Sequence, residues 1–343
     1  MDIDRYLRQE LESIKSEDIT QDEKKMLELG QIEYFIGQRL LSKKFRKNFL
    51  KDTTKETIKK KIAMSVKGKK PIYLIFAFGG YKNPWVKEAY PHIEWSEFFH
   101  LIYLLKLLSP IAKYYEPGVF LEYESECEAT IYHNNFSKQD IDEYTSSFKK
   151  LVEFVKPYTP SNITINYITL PEQYDTKKFF EDMDKLVPAK MEDLRKTLGD
   201  GLKDSLKRPL FNLKLDGPVD LTKKTEEELN EIALRSLAFN HVYLEEDYKI
   251  REEYFNGEER ISMVGTYCSE EENPDNWISI NSVARSANAF WTSRGVLVKI
   301  DNGYQTDIIG PKEFEDKKNK IKWEEIKILA NVINGLNKIP IVE

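Results

Sequence analysis

The chain has 343 residues and carries a net charge of −6. With 41% hydrophobic and 32% charged residues it has the balance of a globular protein, long enough for a substantial core and too acidic to hold nucleic acid through bulk charge. Its two cysteines, Cys127 and Cys268, cannot build a disulfide framework, and four histidines leave little for a zinc site.

Residues 1–15 are charged throughout and lack an apolar core, so no signal peptide is expected and the location read from the sequence is cytoplasmic. No apolar run is long enough to span a bilayer, so no membrane partner is expected. Residues 3–65 read as helical, with Leu27, Ile32, Phe35, Ile36 and Leu40 at helical spacing. Residues 43–70 hold twelve Lys or Arg against two acids, Asp52 and Glu56. Such a stretch could touch RNA, but a solvated helix face is the plainer reading.

Ile72–Phe78 is a continuous apolar run between Pro71 and Gly79, the pattern of a strand buried on both faces. Residues 94–108 are apolar nearly all round and predict a buried helix, stopped by Pro110. A strand over 119–127, a helix opened by Ser137 and Asp140 and closed by Pro157, and a β-branched strand over 163–169 follow. Strand, helix, strand, helix, strand implies parallel βαβ units. Residues 174–206 read as helical, and 207–222, with Pro209, Gly217 and Pro218, as irregular. Thr225 and Glu228 open a long helix that ends near Asn256 and Gly257. Strands are predicted over 261–268, 277–281, 295–300 and 304–309, with Asp301, Asn302 and Gly303 as a hairpin turn, and a last helix over 322–336.

The expected fold class is α/β: a Rossmann-like mixed sheet flanked by helices, with an N-terminal helical segment over 1–68. The α/β core would span 69–206. Residues 207–343 would add a long helix and C-terminal strands that complete the same sheet.

Several clusters could carry chemistry. Gly79 and Gly80, followed by Tyr81 and Lys82, come straight after the first buried strand, where open α/β sheets bind ligands. Neither GxGxxG nor GxxxxGK[ST] is present, so neither NAD nor ATP is predicted. Glu122, Glu124 and Glu126 share one face of the second strand and could act as acid and base, or hold Mg2+. Ser96, Glu97 and His100 lie within reach of one another on a helix, although a histidine there is more often simply hydrogen-bonded. Residues 281–295, with Arg285, Ser286, Trp291 and Arg294, suit a phosphate or carboxylate. No GxSxG or HExxH supports a hydrolase or zinc protease.

Two stretches together resemble the isocyanide synthase family, the enzymes related to tyrosine and tryptophan isonitrile synthases and to the yeast dityrosine-precursor enzyme. The first runs through Lys82, Asn83 and Pro84, Lys87, Pro91, the Glu97 helix, Tyr115, Pro117 and Gly118, to Ser125 and Glu126. The second runs from Trp277 through Phe290 and Trp291 to Gly295 and the turn at Asp301, Asn302 and Gly303. The resemblance covers about half the chain. Glu126 and Cys127 stand where the family has Asp-Gly, and Ser293 and Arg294 where a histidine often precedes the glycine. The family joins an amino acid's nitrogen to a carbon from a pentulose phosphate. What the resemblance implies here is that Lys82 binds phosphate or forms an imine, that Glu126 handles protons, and that Arg285 or Arg294 holds an anion.

The expected function is therefore a small-molecule biosynthetic enzyme acting on an amino acid or amine, with a phosphorylated sugar as co-substrate. Lys82, Glu124, Glu126 and His100 would be its catalytic residues, and Tyr81, Lys87, Glu97, Arg285, Ser286, Trp291 and Arg294 its binding residues. No cofactor is predicted beyond Mg2+ should the glutamate row serve as a metal site, the runner-up enzyme reading. The non-enzymatic alternative is an RNA- or protein-binding module built on the basic 43–70 stretch. Aromatic richness is compatible with a homo-oligomer.

Overall fold

A computed structural model describes residues 2–16, 18–45, 50–125, 127–169, 172, 175–244, 257, 259–265, 277–284, 286, 288–330 and 336–343. Its centre is a parallel sheet of five strands in the order β3-β2-β1-β4-β5. These are β1 (Ile72–Phe78), β2 (Val119–Ser125), β3 (Ile163–Thr169), β4 (Arg260–Val264) and β5 (Trp277–Ser279). Registers such as Phe76↔Tyr123 and Phe76↔Met263 align apolar side chains across the three inner strands. The continuous apolar run of β1 follows from its central place, covered on both faces.

Of four N-terminal helices, α1 (Ile3–Glu12), α3 (Ile32–Leu40) and α4 (Asp52–Lys67) feed Leu7, Leu11, Phe35, Ile36 and Ile62 into the same core as the sheet, and α2 (Gln21–Glu28) packs Met26 and Leu27 against it. Helix α5 (Trp95–Tyr114) and helix α7 (Lys138–Val155), separated by the short α6 (Cys127–His133), supply Phe98, Leu105, Tyr144 and Phe148 to that core. Helix α5 does not stop at Pro110 but runs through it. The proline removes the N–H that would bond the Lys106 carbonyl, and Arg39 supplies the missing donor, reaching the Lys106 carbonyl at 3.0 Å and the Leu107 carbonyl at 2.7 Å.

A second core forms where α8 (Thr176–Leu198), the short α9 (Leu202–Ser205), α10 (Lys207–Asp216) and α11 (Glu226–Leu244) pack with α6, around Phe179, Met183, Leu213, Leu234 and Phe239. The 207–222 stretch is thus α-helical over 207–216, irregular at Gly217 and Pro218, and a 3-10 helix from Val219. Pro209 sits in the first turn of α10, where a missing N–H costs no helical bond. Helix α11 is described to Leu244, so the expected end near Asn256 lies outside the described residues.

The C-terminal strands do not all complete the first sheet. Strands β4 and β5 join it, whereas β6 (Arg294–Ile300), β7 (Gly303–Ile309), β8 (Ile321–Glu325) and β9 (Lys338–Val342) form a separate sheet in the order β7-β6-β9-β8. Close docking on α5 explains the separation. A Cβ on Gly295 would lie 2.4 Å from the Ser96 nitrogen, and Trp95 Nε1 donates to the Lys338 carbonyl at 2.7 Å. The β6–β7 hairpin pairs Ile300 with Gly303 across its turn. A short helix α12 (Pro311–Lys317) follows it. The helix expected over 322–336 is instead, over its first residues, the edge strand β8, because backbone pairing to the buried Ile339 and Ile341 of β9 outweighs local helical preference. No helix among the described residues is long and apolar enough to cross a membrane.

Candidate active site

Strands β1 and β4 are neighbours in the sheet but far apart in the chain, with β1 continuing toward β2 on one side and β4 toward β5 on the other. Their carboxyl ends make the switch point at which open α/β sheets bind ligands. A cleft of about 1090 Å³ opens there, over Ala77, Phe78, Gly79 and Val264. The indole of Trp291 closes down on both strand ends. A Cβ on Gly79 would come within 2.7 Å of Trp291 Nε1, and one on Gly265 within 2.8 Å of the ring. Glycine at both positions is what lets the indole lie there. A second hollow of about 850 Å³, near Lys15, Lys113 and Lys156, sits at the opposite, amino end of β3.

The helical layer forms the other wall of the cleft. His133, at the end of α6, has Nδ1 3.2 Å from Ser236 Oγ on α11 and packs edge-on against Phe239. Desolvation lowers its pKa to about 4, so the imidazole is neutral at neutral pH. Asn134 and Asn240 add neutral amides, and Arg208 of α10 adds an exposed guanidinium with no ion pair among the described residues. No carboxylate is found among the described lining residues. Such a wall favours a ligand with an anionic end and several hydrogen-bonding groups.

Directly behind the cleft lies a buried ionic knot. The Lys82 side chain is 0% exposed. Its ammonium lies 2.9 Å from Glu94 Oε1, 3.2 Å from both Glu97 oxygens, 2.8 Å from Ser96 Oγ, 3.0 Å from the Phe290 carbonyl and 2.7 Å from the Ser293 carbonyl. Glu94 and Glu97 are also the capping box of α5: Glu94 accepts from the Ser96 N–H, and Glu97 from the Glu94 N–H. Glu97 further accepts from Ser96 Oγ at 3.0 Å and from the Tyr144 hydroxyl at 3.1 Å. Burial raises the Glu97 pKa to about 7, against the pull of Lys82 and with the help of Glu94. The Tyr144 phenol is pushed well up by burial and by Glu97.

No family model and no curated protein matches the chain. Among solved structures it is similar to the PvcA protein from Pseudomonas aeruginosa, at 15% identity, with a TM-score of 0.64 over 91% of this chain and 100% of that one. The likeness establishes the fold, a Rossmann-like α/β architecture with a parallel central sheet flanked by helices.

Against this frame the sequence-predicted site residues separate. Tyr81 and Trp291 line the cleft. Lys82 and Glu97 come together, but in the knot rather than among the residues that line the cleft. His100 is buried in α5, stacked on Phe290 with ring centres 4.2 Å apart and Nδ1 3.2 Å from the Ser282 carbonyl, away from the cleft lining. Glu124 is buried in β2 beside Ala77 and does not line the cleft. Glu122 accepts from the Tyr73 hydroxyl and from Asn166 Nδ2. Among the described residues no group of three or more His, Cys, Asp or Glu is placed to hold a metal. Arg294 is buried against Trp85, Phe314 and Trp323 and paired with Glu88, so its guanidinium is spent on the protein's own aromatic rings and carboxylate. Ser286 donates to the Ile308 carbonyl and fixes a turn. Lys87 is exposed outside the cleft. Glu126 and Arg285 lie outside the described residues.

In the basic 43–70 stretch four of the described lysines sit in ion pairs, two of them with acids outside the stretch. Lys44 pairs with Asp18, Lys55 with Asp52, Lys59 with Glu56 and Lys70 with Glu259, while Lys61 donates to the carbonyls of Gly257 and Arg260. Sequence reasoning missed His133, Ser236 and Arg208. They are brought together only by the packing of α6, α10 and α11, and no local spacing links them.

Proposed function

We propose that the chain is a small-molecule biosynthetic enzyme of isocyanide-synthase-like type, acting in this cleft on an amino acid or amine with a phosphorylated sugar as co-substrate. The observation that carries the reading is the large cleft at the β1–β4 switch point, walled by Trp291 and Arg208 and free of carboxylates among its described residues. The fold shared with PvcA and the sequence resemblance to isocyanide synthases support the same class. Arg208 takes the anionic end of the co-substrate, and Asn134 and Asn240 its hydroxyl groups. With Lys82 buried in the knot, the imine forms directly between the two substrates: the substrate amine attacks the sugar carbonyl and water leaves. Neutral His133, beside Ser236, is the one imidazole among the described lining residues and the candidate to take up the amine's proton.

A thermal-shift titration tests this with pentulose phosphates and amino acids, separately and together. Ligand at ~100 times Kd should stabilise the fold by about 2.7 kcal/mol. Arg208→Ala should lose the sugar-phosphate shift and keep the amino-acid shift. No shift with any amino acid or pentulose phosphate would remove the reading.

A further inference from the structure

We infer that the buried knot around Lys82 is a positioning device for the cleft wall, in which the proton on Glu97 sets how firmly the segment carrying Trp291 is held. The geometry poses a competition. An ammonium has three protons to give, and Lys82 faces six acceptors from five groups within hydrogen-bond distance. Two of those groups are the carbonyls of Phe290 and Ser293, which bracket Trp291. The Ser96 hydroxyl has one proton and the same choice: the Phe290 carbonyl at 2.7 Å, the Ser293 carbonyl at 3.2 Å, or Glu97 at 3.0 Å.

Ionised Glu97 draws both donors toward itself, because a charged acceptor makes the stronger bond. The Ser293 carbonyl then loses both side-chain donors, and the Phe290 carbonyl is left with the Ser293 N–H at 3.4 Å. Protonated Glu97 releases the donors, and Lys82 and Ser96 grip the wall. Each element packed on Glu97 contributes a named group. The 79–94 loop brings Lys82 and Glu94, α5 brings Glu97 itself and His100 one turn on, and α7 brings the Tyr144 hydroxyl, with Tyr167 of β3 behind it. From 290–295 come only backbone carbonyls and the Gly295 N–H, which is held by Glu94 at 2.9 Å. Glu97 titrates near 7, so the exchange falls in the neutral range.

This inference uses the cleft but not its ligand, so its test stands apart from the proposed function. The acrylamide quenching of Trp291, taken as the difference between the wild type and Trp291→Phe, should rise with pH through a one-proton step near neutrality. In Glu97→Gln, which keeps the shape and the Tyr144 contact, the profile should be flat and the wall held as in the low-pH wild type. The infrared carboxylic-acid band lost over the same pH range should be missing in Glu97→Gln. A flat wild-type quenching profile, or a step that survives Glu97→Gln, would overturn the inference.

Discussion

Replacing Lys82 with methionine separates a buried scaffold lysine from a catalytic one. The substitution keeps the length and apolar stem and removes the charge. It leaves Glu94 and Glu97 facing each other inside the protein without their cation. Breaking a buried ion pair by removing one partner costs about 3–5 kcal/mol. Unfolding entropy of about 2.1 cal/mol/K per residue gives ~0.7 kcal/mol/K for this chain, so that loss corresponds to a fall in Tm of roughly 4–7 °C. A lysine serving as an accessible amine would behave otherwise, with a Tm change of about 1 °C or less and loss of turnover alone. Differential scanning calorimetry at pH ~7.5 and ~5.5 distinguishes the two cases. The loss should be smaller at the lower pH, where Glu97 takes up a proton, and Lys82→Met with Glu97→Gln should recover part of it. A Lys82→Met variant that melts with the wild type at both pH values refutes the assignment of Lys82 to the scaffold.

Two further outcomes follow from the same packing. The folded-state pKa of Glu97 lies above its unfolded value, so its contribution to stability is fully present below the unfolded pKa and is lost as pH rises from 4.5 through about 7. The loss is on the order of 3 kcal/mol, and urea midpoints across that range should fall in the wild type and stay level in Glu97→Gln. Gly295→Ala places a methyl group 2.4 Å from the backbone of Trp95 and Ser96, where neither neighbour can rotate away. It should destabilise by at least about 1–3 kcal/mol in urea unfolding, and a wild-type midpoint would mean that β6 does not dock on α5 as described.

What the sequence revealed and what it hid divide along a physical line. Strands β1, β2 and β3, the α5 and α7 crossovers and the β6–β7 hairpin were legible because each is specified by its own residues: apolar runs, capping residues and a turn. Helix α10 was hidden because Pro209 and Gly217 read as breakers, although a proline in the first turn and a glycine just past the end leave a helix intact. The pairing of His133 with Ser236, separated by 103 residues, is a product of tertiary packing that no local pattern carries. Lys82 is the instructive case, since a lysine after a glycine turn at the end of a β-strand reads the same whether it points into the cleft or away from it. The clue lay twelve residues on, at the start of α5. Glu94 and Glu97 both cap that helix end, and its partial positive charge alone does not balance two buried carboxylates. A cation had to come from elsewhere, and the loop that leads into the helix offers Lys82 and Lys87. Lys82 fills the role, and Glu94, Glu97 and Lys82 are buried together outside the described cleft lining. The described cleft lining is left with neutral hydrogen-bonding groups and one guanidinium, and that is why an anionic ligand suits it better than a free ammonium.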